Sequence, residues 1–396
     1  MTRHPRPTDH KELNLAELHR QVAFGQSGGK IIWQPRIGYW ITDKRFAGAP
    51  LPEPYEGMEY FDIFRHLGCS TRLYEYNACF RQIEDPRVLY RENPIGETDM
   101  EHVVETPVGT QRAIDRRTPT SWYHESLKRW IASEEEMRVA LWRAERATFE
   151  WDEERYRELQ AKAGDLGAPT MYMPRVNVQD LYINTMGVEA GVLALFEYPD
   201  TVRAYFRALD DLHDRMIDVI NASPIKIINF GDNLHGGTLS PPLFREYVLP
   251  AYQRRCEKLH AAGKFVCSHW DGDTKTLLPF ARETGLDGIE AITPKPQGDV
   301  TLEEVKEALG DDLFLLDGIP AIYFDEMFPV EELEACVEKI IDLFAPKLIL
   351  GISDEISSTG DIERIRAVGR IVDDYNAAIA SESTRRSWSA NADPKL

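Results

Sequence analysis

His269 and Asp271 stand two apart in a segment that reads as extended chain, so their side chains point the same way and can meet one ion or one substrate. Glu290, at the end of the next strand, can complete a three-ligand metal site with an open position. The same trio serves equally as a metal-free acid/base set. In a plainer reading Asp271 only orients His269 or caps the following helix, a role that Asp273 fits better. Asp232, Asn233 and His235 lie in a Gly-rich turn (GDNLHGG) that can bring side chains and backbone N–H groups to a ligand, or that merely uses Asp and Gly for local hydrogen bonds. Arg36, with Tyr39 and Trp40, can hold an acidic group against an aromatic wall, unless it pairs with Glu75. Asp317 can accept a proton or bind a cation, or be a turn residue before Gly318. Tyr76, Asn77 and Asp354 end strands and are read as substrate-binding. Cys267 is read as a core thiol on the opposite face of its strand, and His213 and His260 as surface residues of helices.

The elements that must position these groups alternate in the second half of the chain. Strands are predicted over 225–232, 264–273, 286–292, 312–319 and 347–355. Helices follow over 240–263, 274–285, 301–310, 329–345 and 361–380, the third opening on a Thr301/Glu304 capping box. Five strand–helix units in a row mean a parallel sheet with right-handed crossovers. Three further strands, over 31–40, 70–78 and 169–176, bring the number to eight and close a (β/α)8 barrel with an N-terminal extension. Functional groups of such a barrel project from the strand C-termini, where nearly every residue named above falls. Between the second and third strands lies an insertion, about 85–165. It has a β-hairpin over 99–117 around Thr106-Pro107-Val108-Gly109, then one or two helices over 133–164. An open doubly wound sheet would want a Gly-rich loop after its first strand; Gly25, Gly28 and Gly29 precede that strand instead. A single domain is expected over 15–380, with unstructured ends at 1–14 and 381–396.

The bulk numbers bound the function. With 43% apolar residues and a net charge of −20, the chain is globular and lacks the basic footprint of a nucleic-acid binder. Five scattered cysteines without CxxC spacing read as reduced thiols, and the polar N-terminus has no apolar signal region, so a cytoplasmic protein is expected. No run of about eighteen apolar residues offers a membrane span.

The FGDNLHGG turn with SPPLFREYVLPAYQ, then FVCSHWDGD, LDGIEAITPKPQGDVTLEEVKEALGDD and LILGISDEI, resembles the uroporphyrinogen decarboxylase-like superfamily. That group includes the decarboxylase, corrinoid-dependent methyltransferases and, more distantly, the catalytic half of cobalamin-independent methionine synthase. KIIWQPRIGYW, FRHLGCS and the TPVGT hairpin are similar to the methyltransferase side. The decarboxylase's RQAGR signature falls near Pro35–Gly38, where one arginine remains. Its catalytic Asp falls near Glu75–Asn77, where there is none, and its strand-eight His near Ile352 or Ser353. The methyltransferases carry zinc on a His-x-Cys at strand five, a Cys at strand eight and, in some members, a Glu at strand six. His269 and Glu290 match; Asp271 replaces the first Cys, and Ile352 falls where the second would be. An oxygen/nitrogen set makes a harder and weaker site than thiolates.

The resemblance thus implies a methyltransferase or demethylase. It would move a methyl group from a small methoxy- or methylamine-type donor to a corrinoid protein or a tetrahydrofolate-type acceptor, with zinc on His269, Asp271 and Glu290, as a monomer or homodimer. A lyase decarboxylating a small acid, with Arg36 as clamp and Asp317 or Asp232 as proton donor, is the alternative; a ligand-binding sensor is a third.

Overall fold

The computed structural model describes the backbone of residues 14–119 and 122–390. The expectation of unstructured ends falls mostly outside the described residues; the last helix runs Glu363–Ala390. Strand β1 (Ile32–Trp33) is the first stave of the barrel. The insertion supplies β2 (Phe80–Ile83), β3 (Leu89–Ile95), β4 (Asp99–Thr106), β5 (Gly109–Arg117), β6 (His124–Lys128) and β7 (Thr148–Trp151). Of these, β3 to β6 form an antiparallel sheet containing the expected hairpin, and β2 pairs with β7. The helical stretch of the insertion is two helices, Glu134–Ala144 and Glu153–Ala163, parted by β7. The staves then resume as β8 (Thr170–Met173), β9 (Ile227–Phe230), β10 (Phe265–His269), β11 (Gly288–Glu290), β12 (Phe314–Pro320) and β13 (Leu348–Ser353). They form one curled, all-parallel sheet in the order β1-β13-β12-β11-β10-β9-β8.

Among the described residues seven strands, not eight, make this sheet. The stave expected over 70–78 stays extended only to Leu73 and coils into a short helix over Tyr74–Cys79. Residues 70–73 still span the gap. The Ser70 N–H donates to the Trp33 carbonyl at 3.0 Å, Thr71 N–H to Leu166 at 3.3 Å, and Leu73 bridges Pro169 in parallel. The helix expected over 274–285 is also reduced, to two turns of 3-10 helix at Leu278–Glu283. Pro279 lacks an N–H and its ring clashes with the carbonyl four residues back, which breaks an α-helix begun near Thr274; it is tolerated in the first turn of the short helix instead. Pro250 acts more mildly within the 240–263 segment: the helix widens into a π-turn at Phe244–Val248 before continuing over Leu249–Ala261. The Thr301/Glu304 capping box forms as expected.

Strand alternation sorts the core into two sets. Ile228, Phe230, Val266, Ile289, Leu315, Leu348 and Leu350 face the surrounding helices. Ile32, Ile227, Phe265, Cys267, Phe314, Leu316 and Ile349 face inward, where Leu18, Val22 and Ala23 of the helix Leu15–Ala23 plug the floor. Each fully buried Ile or Phe contributes roughly 1.5–3 kcal/mol of transfer free energy. Cys267 therefore shares the inner face with His269, one layer below it, since residues two apart in a strand face the same side; the expectation of the opposite face was a parity error. His213 is corrected too. It is 3% exposed, on the inner side of the helix Pro199–Ala222, while His260 is exposed beside Asp287.

Candidate functional site

At the C-terminal rim of the staves the inward set turns from apolar to ionic. β10 ends at His269 and β11 at Glu290, opposite each other in register. The imidazole Nδ1–H donates to Glu290 Oε2 at 2.7 Å. Tyr172, from β8, donates its hydroxyl to the same oxygen at 2.7 Å, and Tyr74 donates to Oε1 at 2.6 Å. Arg72 completes the set: its guanidinium binds Glu290 and, through both terminal nitrogens, Asp317. Glu290 and Asp317 are fully buried.

Asp317 reaches this cluster by an unusual backbone. By alternation it should face the helices with Leu315, but its φ of +76° turns the carboxylate inward. Gly351, its neighbour on β13, leaves the room; a Cβ there would overlap the Asp317 carboxylate. Among the described residues four non-glycines have positive φ: Asn233, Ala291, Asp317 and Asp354, all just after or near a stave's C-terminal end. Such strain gathers where side chains must be aimed rather than merely packed.

The electrostatics follow from burial and pairing. Burial alone would lower the His269 pKa, but Asp271 and Glu290 outweigh it and raise it to about 9, so the ring is an imidazolium at neutral pH. Asp271 Oδ2 stands 3.8 Å from Nε2, near enough to favour the positive charge and too far to accept a good hydrogen bond. Burial works against ionised Glu290, yet Arg72 and His269 hold its pKa well below the usual carboxylate range. Burial pushes Asp317 up against the pull of Arg72, with the nearby Glu290 charge adding to the rise. Tyr74 and Tyr172 are pushed up by burial and by Glu290, and remain neutral donors.

Around this centre lies a second tier. Asn233 donates to Asp271 at 3.1 Å and accepts from Arg175 at 2.5 Å, so Arg175, Asn233, Asp271 and His269 form a chain. Arg36 faces Glu355 at 3.7 Å and Asp354 at 3.9 Å, and one of its terminal nitrogens is buried without a partner. Tyr39 donates its backbone N–H to Glu355 at 3.2 Å, while its ring meets Trp122 and Tyr123 from the insertion, its hydroxyl bonding that of Tyr123.

Other residues singled out in the sequence are placed elsewhere. Asp232 is buried as a tie for the loop after β8, accepting from Val176 N–H at 2.7 Å and Tyr252 at 2.5 Å. His235 caps its own turn, accepting from Gly237 N–H at 2.9 Å. Trp40 is buried, donating to the Gly360 carbonyl at 3.0 Å. Tyr76 packs on Tyr156, and Asn77 accepts from the Tyr172 N–H at 2.8 Å, steadying β8 from outside the cup. Conversely the sequence offers no role for Arg72 and Tyr172, and it places Tyr74, Arg175 and Glu355 at strand ends without assigning them one. The Ser70–Arg72–Tyr74 alternation carried a signal for two of them.

Residues 182–375 match the family model described as uroporphyrinogen decarboxylase (URO-D). A methyltransferase from Methanosarcina mazei has a similar structure, with a TM-score of 0.55 and 13% identity over 90% of this chain and 97% of that one. A D-psicose 3-epimerase from Clostridium cellulolyticum H10, solved with D-tagatose, covers 58% of this chain and 84% of its own at 11% identity, with a TM-score of only 0.34. No curated protein matches the chain in sequence. The family match covers just under half of the chain, and the first structure shares its parallel α/β barrel fold.

Proposed function

We propose that this chain, a relative of the uroporphyrinogen decarboxylase-like superfamily, is a methyltransferase or demethylase whose general acid is His269. The observation that supports this reading is the buried imidazole of His269, held through Nδ1 by Glu290 with Nε2 facing Asp271 across 3.8 Å, a setting that raises its pKa to about 9. Displacing a methyl group from oxygen or nitrogen is slow because the leaving heteroatom departs with its bonding electrons. An imidazolium beside that heteroatom supplies a proton as the bond breaks. The methyl–heteroatom bond breaks, the methyl–acceptor bond forms, and the Nε2 proton moves to the heteroatom, leaving neutral imidazole. Asp271 and Glu290 stabilise the charged acid beforehand; Tyr74, Tyr172 and Arg72 fix Glu290. The acceptor in this reading is a corrinoid or folate-type nucleophile approaching from the open rim.

Zinc does not fit these residues as they stand. A carboxylate offers about four lone-pair sites, and Glu290 accepts from Arg72, Tyr74, Tyr172 and His269. A metal on Glu290 would have to displace a buried guanidinium. Among the described residues no group of three His, Cys, Asp or Glu side chains is placed to hold a metal ion. The reaction is therefore derived from the chain's own acids.

A second reading, decarboxylation of a small acid, is favoured by the unpartnered buried nitrogen of Arg36, which suits a carboxylate clamp. His269 would then protonate the carbanion left by CO2. The deciding experiment supplies a reduced corrinoid with methoxyaromatics and methylamines. Alkylated corrinoid is expected, and His269→Gln should slow its formation by about 10²–10⁴-fold. No alkylation across the panel, with CO2 released from small acids, would replace this reading by the lyase.

A further inference from the structure

A cavity of about 220 Å³ lies between the insertion and the helix Pro199–Ala222, and none of its wall residues belongs to the cup. At roughly 30 Å³ per water it has room for about seven waters, or for one ring-sized molecule. Trp130, Phe149 and Tyr205 give it an aromatic wall, which Leu209 and Leu212 extend. Aromatic rings carry negative faces and attract cations, the more so where water is kept out.

The charges on the wall do not cancel. Arg143 and Glu84 neutralise each other across 2.8 Å, and Arg143 also donates to the Gln111 side-chain carbonyl at 3.1 Å. His213 borders the cavity too, but burial and then the charges of Arg255 and Arg215 press its pKa well down, so its ring adds no positive charge. The remaining charged group of the wall is the Asp180 carboxylate.

Asp180 has hydrogen bonds but no counter-ion. It accepts from Asn184 at 2.9 Å and from Tyr205 at 3.3 Å, both neutral donors, and among the described residues it joins no ion pair. These bonds use two of the roughly four lone-pair sites of a carboxylate. The charges of Arg175 and Arg255 reach it, but their terminal N–H groups go elsewhere. Arg175 donates to Asn184 at 3.2 Å and Asn233 at 2.5 Å, and Arg255 to His213 and to the Pro174 carbonyl at 3.0 Å. Burial outweighs all of these and pushes the Asp180 pKa up, as it does for a carboxylate whose counter-charge is incomplete. A cation brought against it would complete that charge.

We propose that this cavity binds a small organic ammonium ion, its charged nitrogen on the Asp180 carboxylate and its apolar body against Trp130, Phe149 and Tyr205. The ammonium N–H groups donate to the free lone pairs of Asp180, and the ring faces share the positive charge. The site does not depend on the reaction assigned to the cup.

Benzylammonium is the probe, with benzyl alcohol as its neutral counterpart, each titrated calorimetrically into the full chain at neutral pH. Benzylammonium should bind about tenfold more tightly than the alcohol, the worth of one hydrogen bond to a charged group. A crystal of the complex with 4-bromobenzylammonium should place the bromine, located by anomalous scattering, in this cavity. Asp180→Asn keeps the size of the side chain and an acceptor for its neighbours but removes the charge. It should abolish the tenfold preference and leave the alcohol's affinity within about twofold, which also shows that the variant is folded. Diffuse attraction of a cation to a chain of net charge −20 survives that change, so equal benzylammonium affinity in parent and variant overturns the proposal. Should Asp180→Asn not fold, Ala140→Leu decides: it crowds the cavity from the helix Glu134–Ala144 and should weaken benzylammonium about tenfold, and undiminished binding overturns the proposal. Bromine found only at the barrel mouth, or nowhere, does so as well.

Discussion

Replacing Arg72 by methionine removes the one guanidinium that joins Glu290 to Asp317 and leaves two fully buried carboxyl groups facing each other. Removing one partner of a buried ion pair costs about 3–5 kcal/mol, because an uncompensated charge stays behind. An unfolding entropy of about 2.1 cal/mol/K per residue gives about 0.8 kcal/mol/K for 396 residues, so Tm should fall by about 4–6 °C at neutral pH. The pH dependence carries the mechanism. Glu290 is depressed in the folded protein, so its stabilising contribution is present above the unfolded pKa of 4.5 and is lost as pH falls through the folded value. Arg72→Met lacks most of that contribution, so the gap between parent and variant should be widest at neutral pH and close in acid, where protons neutralise the stranded carboxyls. Adding Glu290→Gln and Asp317→Asn should recover part of the loss, since no buried charge then lacks a partner. Scanning calorimetry from neutral to mildly acid pH reads all of this. A Tm change under about 1 °C at neutral pH, or a gap that widens in acid, would refute the ionic account of the cluster.

The acid His269 carries its proton up to a pKa of about 9, so kcat/KM should decline above that pH. Its stabilising share is complete below the unfolded 6.5 and disappears through the same alkaline range. Asp271→Asn removes one cause of the raised pKa and should move the alkaline limb toward neutrality; a limb that stays put would separate Asp271 from the acid. Gly351→Ala places a methyl group in the space of the Asp317 carboxylate and should lower both Tm and rate, whereas unchanged kinetics would mean that Asp317 does not need its inward pose. Exhaustive dialysis against a chelator should leave the rate unaltered. Loss of activity restored by added zinc would show that Glu290 can release its donors.

The sequence made the second half of the barrel legible because each strand there is a run of β-branched and aromatic residues closed by a polar terminus and a capped helix. His269 and Glu290 were found for that reason: in a parallel sheet, consecutive strand ends become neighbours. The second stave was legible only in part. Its sequence continues in aromatic residues to Tyr76, so the pattern predicts too long a strand, places Tyr76 and Asn77 at the rim and leaves Arg72 below it. Asp317 was named for its position before a glycine, yet the pattern of residues does not encode the left-handed φ that turns it inward. Asp232 looked like chemistry because aspartate in a Gly-rich turn suits both tasks; the Val176 N–H and Tyr252 hydroxyl decide for a tie. His213 illustrates the reverse, a helix histidine read as solvated that burial and Arg255 make part of the interior.

The helix Leu15–Ala23, wedged beneath the staves, stops the lower end of the barrel like a cork. In the proposed reaction, whatever meets His269 would come and go by the rim where the staves end. Two reactants cannot arrive from opposite ends and pass through. If the proposed transfer holds, the smaller reactant must already be seated when the larger reaches the threshold, and turnover should follow a compulsory order, with the bulky partner last in and first out.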